Sequence, residues 1–598
     1  MSTKVVKNEV LKGGEFLVKE SSFEDVYTPE QLTEEQKMFA QTTHDFIQSR
    51  VLSNLLKIEK QEPGLTEQLL IESAELGLLG ASVPEEFGGM GVDIATDSAI
   101  NEEIGKGHSF AASYAAHTGI GTLPILYFGT EEQKNKYLPG LVDGSLKAAY
   151  CLTEPGSGSD ALGAKSKAVL SKDGKFYILN GQKMWITNGG FADLFTVFAK
   201  IDGEKFTGFI VDAKSEGISL GSEEDKLGIK GSSTRQVFFN NVKVPVENLL
   251  GEIGKGHKIA FNVLNIGRYK LCVLALGGSK AATTTAVKYA NERIQFNVPI
   301  SSFGAIKYKL AEMAVKIYAC ESATYRTAGL IDNKISELVA KGADKVQAKL
   351  QAAEEYSIEC AILKVFGSEV LDYVVDEAVQ VFGGTGFSEE YPVARAYRDA
   401  RINRIFEGTN EINRLLSVGM MVKKSMKGEI DMFTPAMAVQ KELMSVPDFS
   451  TSSSDDYFSA EKKALANVRK AILMTAGAAV QKFMQDLEKQ QEIMMCVSDM
   501  LIELFASESA MLRTERLVQT QGEEASSLQI DLTRVYISDA IERINLHGKH
   551  AIISFNEGDV LRVMLMGLKR FTKYEPFDTI AARRRIADKM IAENAWCF

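Results

Sequence analysis

The sequence predicts a mostly helical α+β protein built from several domains. Its 598 residues exceed what one compact hydrophobic core usually holds. Amphipathic helical runs give way to short β-rich segments and then return, and a polar segment separates a final helical block. We therefore expect five units: an N-terminal helical domain over residues 30–148, a β-barrel-like domain over 149–253, a helical bundle over 254–425, a linker over 426–460 and an additional C-terminal helical domain over 461–598.

The N-terminal domain is predicted to be helical because capping and periodicity agree. Thr33, with Gln36 three residues later, fits the capping box that starts a helix. A second helical run is expected over residues 96–118, after a stretch broken by glycine and proline. The apolar residues behind the first cap recur at helical spacing and should face the core: Met38, Phe39, Phe46, Ile47 and Val51.

The middle domain is predicted to be β-structure because its apolar segments are short and separated by turn residues. Segments such as FYILNG, LFTVFAKI and QVFFNNVKVP have the composition of strands, and SKDGK and NGG separate them. Near Gly254 the long amphipathic pattern returns and continues to about residue 422. The linker is marked by Pro435, Pro447 and the run FSTSSSDDYF, and the block after it again has helical periodicity.

Charge and cysteine usage exclude several classes of function. The net charge is −11 and no basic stripe or tail stands out, so we expect no nucleic-acid partner. The six cysteines are scattered with no C-x-x-C pair, which argues against a zinc site and a disulfide framework and fits a reducing compartment. Among the histidines only His547 and His550 lie close together, in a polar stretch, and we expect no metal site.

The N-terminal segment and the hydropathy pattern indicate no targeting sequence and no membrane span. Residues 1–27 lack the apolar core of a signal peptide and carry several acids, which disfavours a transit peptide. No apolar run looks long enough to cross a bilayer. We expect a cytoplasmic protein of bacterial origin.

The first motif that suggests chemistry is the loop YCLTEPGSGSDALGAKSKA at residues 150–168. A loop rich in glycine and serine offers backbone N–H groups and hydroxyls, and it can approach a cofactor ring or a phosphate closely. Taken alone, the loop is also consistent with a cluster of β-turns.

The second motif is NGQKMWITNGG at residues 180–190. In a regular strand, Trp185 and Thr187 place a flat indole and a hydroxyl on the same face. Taken alone, the pair is also typical of a core tryptophan beside a surface threonine.

The third motif is VQVFGGTGFSEEYPVARAYRDARINRIFEGTNEINRL, which begins at residue 379. Its two-glycine turn permits close backbone approach, and its five arginines, taken alone, fit a salt-bridged helix face. Glu407 is different, because it follows an apolar Ile-Phe pair directly. A carboxylate in apolar surroundings has a raised pKa, which suits a general base that works near neutral pH.

Together these motifs resemble the acyl-CoA dehydrogenase family. The first supplies Cys151-Leu-Thr-Glu154 and then Gly158-Ser159-Asp160, and W-I-T lies between the two family signatures. The resemblance covers about residues 30–425 and implies the acyl-CoA dehydrogenase fold. The length, with its extra C-terminal helical block, is similar to the very-long-chain branch of that family. The third motif supplies Gln380, Gly383, Gly384, Gly386, Glu390, Arg395 and Asp399.

The resemblance implies FAD-dependent α,β-dehydrogenation of long-chain acyl-CoA to trans-2-enoyl-CoA in fatty acid β-oxidation. Glu407 would take the α proton while the β hydride passes to flavin N5, and an electron-transfer flavoprotein would accept the electrons. Some branches place the base in an earlier helix beside an arginine; here Gly267 precedes Arg268, so the carboxylate is at Glu407. An acyl-CoA oxidase and a flavin-binding assembly or scaffold protein are the alternatives.

The resemblance also implies a set of FAD contacts. The first loop would hold the flavin, with Thr153 bonded to the ring, while Trp185 and Thr187 cover its other side. Arg293 matches the arginine that pairs with the FAD pyrophosphate of a neighbouring subunit. The expected cofactor contacts are Tyr150, Cys151, Thr153, Gly158, Ser159, Trp185, Ile186, Thr187, Arg293, Gln295, Gln380, Gly383, Gly384, Thr409, Asn410 and Glu411.

Substrate contacts follow from the same resemblance. Ala112 and Ala116 match the far end of the acyl pocket and lie one helical turn apart, so they share a face. Small residues there should leave a deep channel that favours palmitoyl-like over octanoyl chains, although tight helix packing also explains them. The expected substrate contacts are Ser159, Asn265, Gly267, Arg268, Phe406, Gly408, Ala112 and Ala116.

The resemblance finally implies a homodimer, since the extra helices of the very-long-chain branch occupy the surface on which other members form tetramers. That branch also uses the linker and the C-terminal domain for membrane association. In this chain the segment from Lys427 has many apolar residues, but its acids outnumber its lysines. Helices that bind anionic lipid usually carry basic polar faces. Peripheral membrane contact and a linker that packs on its own subunit are both left open.

Overall fold

Helices, a β-sheet and further helices follow one another along the chain, in the order that the sequence predicts. The structure is a computed structural model and describes residues 10–443 and 457–598. Apolar side chains of the bundle and of the C-terminal block belong to one buried cluster, whereas the N-terminal helices and the sheet also have clusters of their own. The additional C-terminal helices therefore share a core with the bundle that they follow.

The N-terminal domain consists of short helices, and its first cap forms as predicted. Thr33 Oγ1 accepts a hydrogen bond from the backbone N–H of Gln36 at 3.3 Å, and the Gln36 side chain accepts one from the N–H of Thr33 at 2.9 Å. Phe46 is buried as predicted, whereas Met38 is exposed on the outer face of the helix. The helices are α1 (Glu34–Phe46), α2 (Leu55–Glu59), α3 (Leu65–Glu75), α4 (Ile94–Ile104), α5 (Ser109–Ala115), α6 (Leu123–Phe128) and α7 (Glu131–Val142).

A break separates α4 from α5, inside the run that the sequence predicts as one helix over residues 96–118. Gly105 lies so close to a helix of the bundle that a Cβ there would stand 2.1 Å from the carbonyl oxygen of Leu274. The positive φ of His108, 51°, turns the chain at the same place. After α5 the helix widens into a π-helix over Ala116–Gly121.

The middle domain is a sheet of eight strands: β1 (Ala148–Cys151), β2 (Lys167–Leu170), β3 (Phe176–Thr187), β4 (Leu194–Ile201), β5 (Lys205–Asp212), β6 (Ile218–Leu220), β7 (Thr234–Pro245) and β8 (Leu249–Leu250). The order is β6-β7-β3-β2-β4-β5-β8, and β1 pairs in parallel with β4. Side chains of β1 to β5 and β7 meet in one buried cluster. The sheet therefore curls around a core of its own.

Long helices form the central bundle: α8 (Gly256–Glu292), α9 (Gly304–Ala340), α10 (Lys345–Glu355), α11 (Ser357–Phe382), α12 (Pro392–Ala400) and α13 (Asn410–Met426). A hairpin of β9 (Ile294–Gln295) and β10 (Val298–Pro299) follows α8. By length and hydropathy α8 could cross a membrane, which corrects the expectation that no run is long enough. Its most apolar window is 67% buried inside the protein, so its apolarity is explained by its place in the core.

The C-terminal block consists of α14 (Phe433–Leu443), α15 (Ser459–Phe483), α16 (Gln491–Gln521), α17 (Ser527–Phe555), α18 (Gly558–Phe571) and α19 (Thr579–Glu593). α14 lies inside the segment predicted as a linker, so that part is a packed helix. Val439 is buried, and a Cβ at Gly567 would stand 2.3 Å from Leu443 Cδ2. The rest of the predicted linker includes residues 444–456, which lie outside the described residues.

Buried ion pairs fasten the C-terminal block to the bundle. Arg326 of α9 pairs with Glu508 of α16 at 3.0 Å, and Arg469 of α15 reaches the same carboxylate. All three side chains are buried. Removing one partner of a buried pair costs about 3–5 kcal/mol, so these contacts fix how the block sits on the bundle.

Candidate active site

An apolar cavity of about 220 Å³ lies where the N-terminal helices meet the bundle. Its walls come from α5, α8, α11 and α12 and from the turn that precedes α13. Small residues line it along α8, among them Ala275, Gly278 and Ala282. The predicted site residues that lie on its wall are Ala112, Ala116, Thr187, Gly267, Phe406 and Glu407.

The turn that carries Glu407 has an unusual backbone. Glu407 and Gly408 have φ angles of 58° and 82°, so two successive residues are left-handed. This conformation is strained for a glutamate and persists only where the surroundings hold it. The Asn413 side chain donates to the carbonyl oxygens of Gly408 and Thr409 at 2.8 and 3.0 Å. Arg268 Nε donates to the carbonyl oxygen of Glu407 at 3.3 Å.

The carboxyl group of Glu407 occupies a narrow space. A Cβ at Gly267 would stand 2.9 Å from Glu407 Oε2 and 3.1 Å from Cδ, so glycine leaves room for the carboxyl group. Oε2 is buried and has no hydrogen-bond partner among the described residues. Burial raises the pKa of Glu407 to about 7, against the opposing charges of Arg268 and Lys364. The group can therefore accept a proton near neutral pH.

Other predicted site residues support the turn that carries Glu407. Arg268 Nη1 donates to Asn265 Oδ1 at 2.9 Å, which orients the guanidinium. Asn410 is buried, and its amide is bonded to side chains of α11. Thr409 caps α13, since its hydroxyl accepts a hydrogen bond from the N–H of Ile412. These contacts hold the turn from three elements of the bundle.

The sheet contributes Thr187, which follows a bulge in β3. The pairing of β3 with β7 shifts between Lys183 and Ile186, and Trp185 has a φ of 59°. The assumption of a regular strand at Trp185 and Thr187 is therefore wrong, because a bulge re-aims side chains. The indole of Trp185 is 53% exposed, Ile186 is buried, and Thr187 lies on the cavity wall.

Tyr150 and Cys151 are buried on β1. Tyr150 Oη is buried without a hydrogen-bond partner among the residues that the structure describes. Burial and then the charge of Glu407 raise the pKa of Tyr150. The strand thus carries a buried polar atom that has no partner among the described residues.

The glycine-rich loop after β1 is anchored by a buried ion pair. Glu154 pairs with Lys183 at 2.7 Å and also accepts two backbone N–H groups. Thr153 is half-buried beside this anchor, whereas Gly158 and Ser159 are exposed. No atom lies within 4 Å of the position of a Cβ at Gly158. The loop is therefore held at its base and open at its tip.

The remaining predicted contacts lie away from the cavity, mostly where α8 and α11 end. The stacked rings of Tyr289 and Phe382, with centroids 3.9 Å apart, join these two helix ends. Glu411 is exposed on α13. The exposed predicted residues at the helix ends, which do not line the cavity of their own chain, are Arg293, Gln295, Gln380, Gly383 and Gly384.

Sequence reasoning missed a second polar group on the cavity wall. His108 Nδ1 lies 2.9 Å from Asp399 Oδ2, and Asp399 Oδ1 accepts a hydrogen bond from the N–H of Ile229. Ile229 has a φ of 45°, which is rare for a β-branched residue. The sequence also gives no sign of a role for Lys364, which is fully buried. Asp399 lies in the third motif, but nothing near His108 or Lys364 in the sequence distinguishes them from ordinary helix residues.

Four family models match the chain in order. The model of the acyl-CoA dehydrogenase N-terminal domain matches residues 33–145, and that of the middle domain matches 149–242. Two models of an acyl-CoA dehydrogenase C-terminal domain match 254–420 and 467–570. The last match lies in the additional C-terminal helices, where the resemblance had rested on length and helical pattern.

Two relatives and one solved structure extend this similarity. A probable acyl-CoA dehydrogenase of Bacillus subtilis (strain 168) is 48% identical over 579 residues, 97% of this chain and 97% of the relative. The mitochondrial very long-chain specific acyl-CoA dehydrogenase of Rattus norvegicus is 44% identical over 352 residues, 57% of this chain and 51% of the rat protein. A crystal structure of acyl-CoA dehydrogenase complexed with FAD from Bacillus anthracis has a TM-score of 0.96 and 48% identity, over 98% of this chain and 100% of that one.

The three-part fold, the buried glutamate on the wall of an apolar cavity and these matches together define an oxidoreductase of the acyl-CoA dehydrogenase type. The chain belongs to the acyl-CoA dehydrogenase family.

The contact between Gly267 and Glu407 yields a first prediction. Gly267→Ala should lower acyl-CoA turnover with an artificial electron acceptor by about 10- to 100-fold, because the new methyl group displaces the carboxyl group and small misplacements are costly. Gly419→Ala is the matched control, since a Cβ there meets no atom within 4 Å. Wild-type turnover in Gly267→Ala would show that the carboxyl group is not confined at this point.

Proposed function

We propose that this protein is an FAD-dependent dehydrogenase that converts long-chain acyl-CoA to trans-2-enoyl-CoA in fatty acid β-oxidation, with Glu407 as the base. The observation that carries this proposal is the buried, unpartnered Oε2 of Glu407 on the wall of an apolar cavity. Family membership supports the reaction type, and the length of the small-residue wall supports the chain length.

Glu407 is suited to remove a proton from the carbon next to a thioester. Its Oε2 has no internal hydrogen bond to give up, and the raised pKa makes the carboxylate a stronger base than an exposed one. The apolar walls limit competition from water for the same oxygen. The Arg268 contact to the Glu407 carbonyl oxygen keeps the turn, and hence the carboxyl group, in one orientation.

The residues present fit FAD. Trp185 presents an exposed indole, Tyr150 Oη lacks an internal partner, and Gly158 and Gly383 leave open space where a side chain would stand. These are features of a surface that a ring and a phosphate chain can approach closely. When bound, FAD supplies the acceptor for the β hydride.

We also propose an electron-transfer flavoprotein as the physiological electron acceptor, on the strength of family membership. Flavin that acyl-CoA has bleached anaerobically should re-oxidise quickly with an artificial acceptor and slowly with air. Fast re-oxidation by air would support the acyl-CoA oxidase alternative, and flavin that acyl-CoA does not bleach would support the scaffold alternative.

The second prediction concerns the base. Glu407→Gln should retain FAD and bind acyl-CoA but lose flavin reduction by orders of magnitude, because no group accepts the α proton. In the wild type the base must be ionised, so reduction should be fast above pH 7 and about tenfold slower one pH unit below the pKa. Stopped-flow reduction across pH measures both effects. Near-wild-type reduction in Glu407→Gln, or a midpoint near pH 4.5, would contradict the assignment.

The depth of the cavity supports long acyl chains. Wall residues on α8 run from Gly267 beside the base to Thr285, which is about 27 Å along a helix. Ala112 and Ala116 line the same cavity with small side chains. Each further buried CH₂ contributes about 0.8 kcal/mol, so long chains gain most from this wall.

The third prediction follows from that wall. The wild type should prefer palmitoyl-CoA to octanoyl-CoA, and Ala112→Gln or Ala116→Glu should shift the optimum towards shorter chains by filling the cavity. A kinetic scan over acyl lengths measures this shift. Gly419→Ala serves as the control, and a wild-type optimum at butyryl or octanoyl would refute the assignment.

We further propose a homodimer that completes the FAD site. Phe296 and Phe387 are 88% and 89% exposed near the ends of α8 and α11, beside the predicted FAD contacts. Ile294 and Val298, in the same hairpin as Phe296, are exposed as well, and contiguous exposed apolar side chains mark interaction surfaces. A second subunit placed there would bring Arg293 and Gly383 to its partner's cofactor.

The fourth prediction tests this interface. Arg293→Ala should lower the FAD content and loosen the dimer, because it removes a charge-assisted phosphate contact. Light scattering and flavin absorbance report the two effects. Arg562→Ala, which removes an exposed arginine on α18, should change neither. Unchanged FAD binding in Arg293→Ala, or a wild-type tetramer, would count against the proposal.

The described part of the predicted linker supports packing on its own chain, through Val439 and Leu443. Phe433 and Met437 are nevertheless exposed on α14, which keeps peripheral membrane contact as the alternative. A cytoplasmic location is our proposal.

The fifth prediction decides between a linker that packs on its own chain and one that contacts a membrane. We expect the wild type to stay out of the lipid fraction when floated with anionic vesicles, since α14 and its flanks carry few basic residues. Co-flotation that is lost in Phe433→Ser/Met437→Ser but kept in Met484→Ser, an exposed methionine elsewhere, would establish membrane docking instead.

A further inference from the structure

Lys364 is a buried charge that the proposed reaction does not use. Its side chain is fully buried on α11, and Nζ donates to Asn410 Oδ1 at 2.7 Å. Among the described residues, no carboxylate oxygen lies within 4.0 Å of it. A buried ammonium without a counter-ion is costly, and an apolar side chain of similar size would pack at lower cost. The charge therefore needs an explanation other than packing.

The charged groups around Lys364 come from four elements. The charges that act on the pKa of Lys364 belong, largest first, to Glu407 on the turn, Arg268 on α8, Glu411 on α13 and Glu369 on α11. Arg268 opposes the ammonium charge, whereas the three carboxylates favour it.

Of these three carboxylates, Glu407 gains most from the ammonium. Glu369 already pairs with Arg414 at 2.8 Å, and Glu411 is exposed to solvent. Glu407 is the buried carboxylate, with Oε2 unpartnered among the described residues. In a medium of low polarity, a fixed cation acts on such a group over several ångströms.

We propose that Lys364 is a positioning residue for proton abstraction: its ammonium holds the end of the Glu407 turn through Asn410 and keeps the Glu407 carboxylate ionised. This inference rests on the proposed function, in which Glu407 is the base. The hydrogen bond from Lys364 to Asn410 lies at the end of the Glu407 turn, because Asn410 is the first residue of α13. Arg268 and Asn413 donate to carbonyl oxygens within the turn.

Burial and the charge of the other group have opposite effects on the pKa of Glu407 and on that of Lys364, and these effects predict what removal of the ammonium does. Burial raises the pKa of Glu407 to about 7, and Lys364 lowers it towards the ordinary value. Burial also lowers the pKa of Lys364 to about 7, and Glu407 opposes that change. Removing the ammonium should therefore raise the pKa of Glu407 further, so a smaller fraction of the base is ionised at neutral pH. The loss of rate should be large at low pH and recover at high pH.

The experiment compares pH profiles of anaerobic flavin reduction by palmitoyl-CoA in the full-length protein. Lys364→Met should move the midpoint to higher pH, and a tenfold rise in the proton affinity of Glu407 makes reduction about tenfold slower below the midpoint. Lys364→Arg keeps the charge and should keep a midpoint near that of the wild type. Lys349→Met is the matched control, since Lys349 is also buried and donates to the carbonyl oxygen of Val92, away from the turn.

Two results would overturn the role of Lys364. One is an unchanged profile in Lys364→Met. The other is an equal loss of rate at every pH with the wild-type midpoint, which indicates a merely structural contact. If Lys364→Met does not fold, as judged by circular dichroism, Lys364→Gln decides, because it removes the charge but keeps a hydrogen-bond donor for Asn410 and should also raise the midpoint. An unshifted midpoint there overturns the inference.

Glu407→Gln, measured alongside, separates this inference from the function on which it rests. Reduction at the wild-type rate in Glu407→Gln removes the base and, with it, the role of Lys364. An inactive Glu407→Gln combined with an unshifted Lys364→Met leaves the base in place and removes only the positioning role.

Discussion

The proposed reaction depends on keeping the Glu407 carboxylate ionised inside an apolar cavity. Withdrawal of water makes Glu407 a stronger base, but the same withdrawal disfavours its charged form. A direct ion pair would stabilise the charged form of Glu407, but it would also weaken the base. It would lower the pKa and occupy the oxygen that takes the proton in the proposed reaction. The structure instead uses cations that hold the turn. Arg268 binds the Glu407 carbonyl oxygen and Lys364 binds Asn410, which leaves Oε2 without a partner among the described residues.

Support for this turn continues by hydrogen bonds into the C-terminal block. Asn410 Nδ2 donates to Glu369, and Glu369 receives both arms of Arg414 at 2.8 and 2.9 Å. Arg414 Nε reaches Asp499 of α16 at 2.7 Å. Two-ended arginine contacts of this kind are directional and leave little freedom. The additional helices therefore do more than cover an apolar surface, because Asp499 of α16 binds α13, the helix that follows the Glu407 turn.

The order of helices and strands and the first capping box could be predicted because the deciding interactions lie close together in sequence. Glu407 is singled out by the apolar pair that precedes it, and the family resemblance supplies its proposed role. The missed features depend on contacts between distant segments. Gly105 breaks a helix because the carbonyl oxygen of Leu274 leaves no room for a side chain, and Trp185 lies in a bulge set by pairing with β7. In the sequence, Lys364 has the spacing of an ordinary helix lysine. Only the packing of other segments around α11 buries it.

Two neighbouring glycines of α8 show how packing and cavity can be told apart. At Gly277 a Cβ would stand 1.8 Å from the carbonyl oxygen of Glu102, so the backbone contact between α8 and α4 excludes any larger residue. At Gly278, which lines the cavity, the nearest atom would be a methyl carbon of Leu371 at 3.4 Å, an ordinary contact. Helix packing therefore requires glycine at position 277, whereas position 278 has room for a side chain. The depth of the cavity can change at residues of the second kind without loss of the helix contact, so the proposed acyl-chain preference can be altered separately from stability even on one helix.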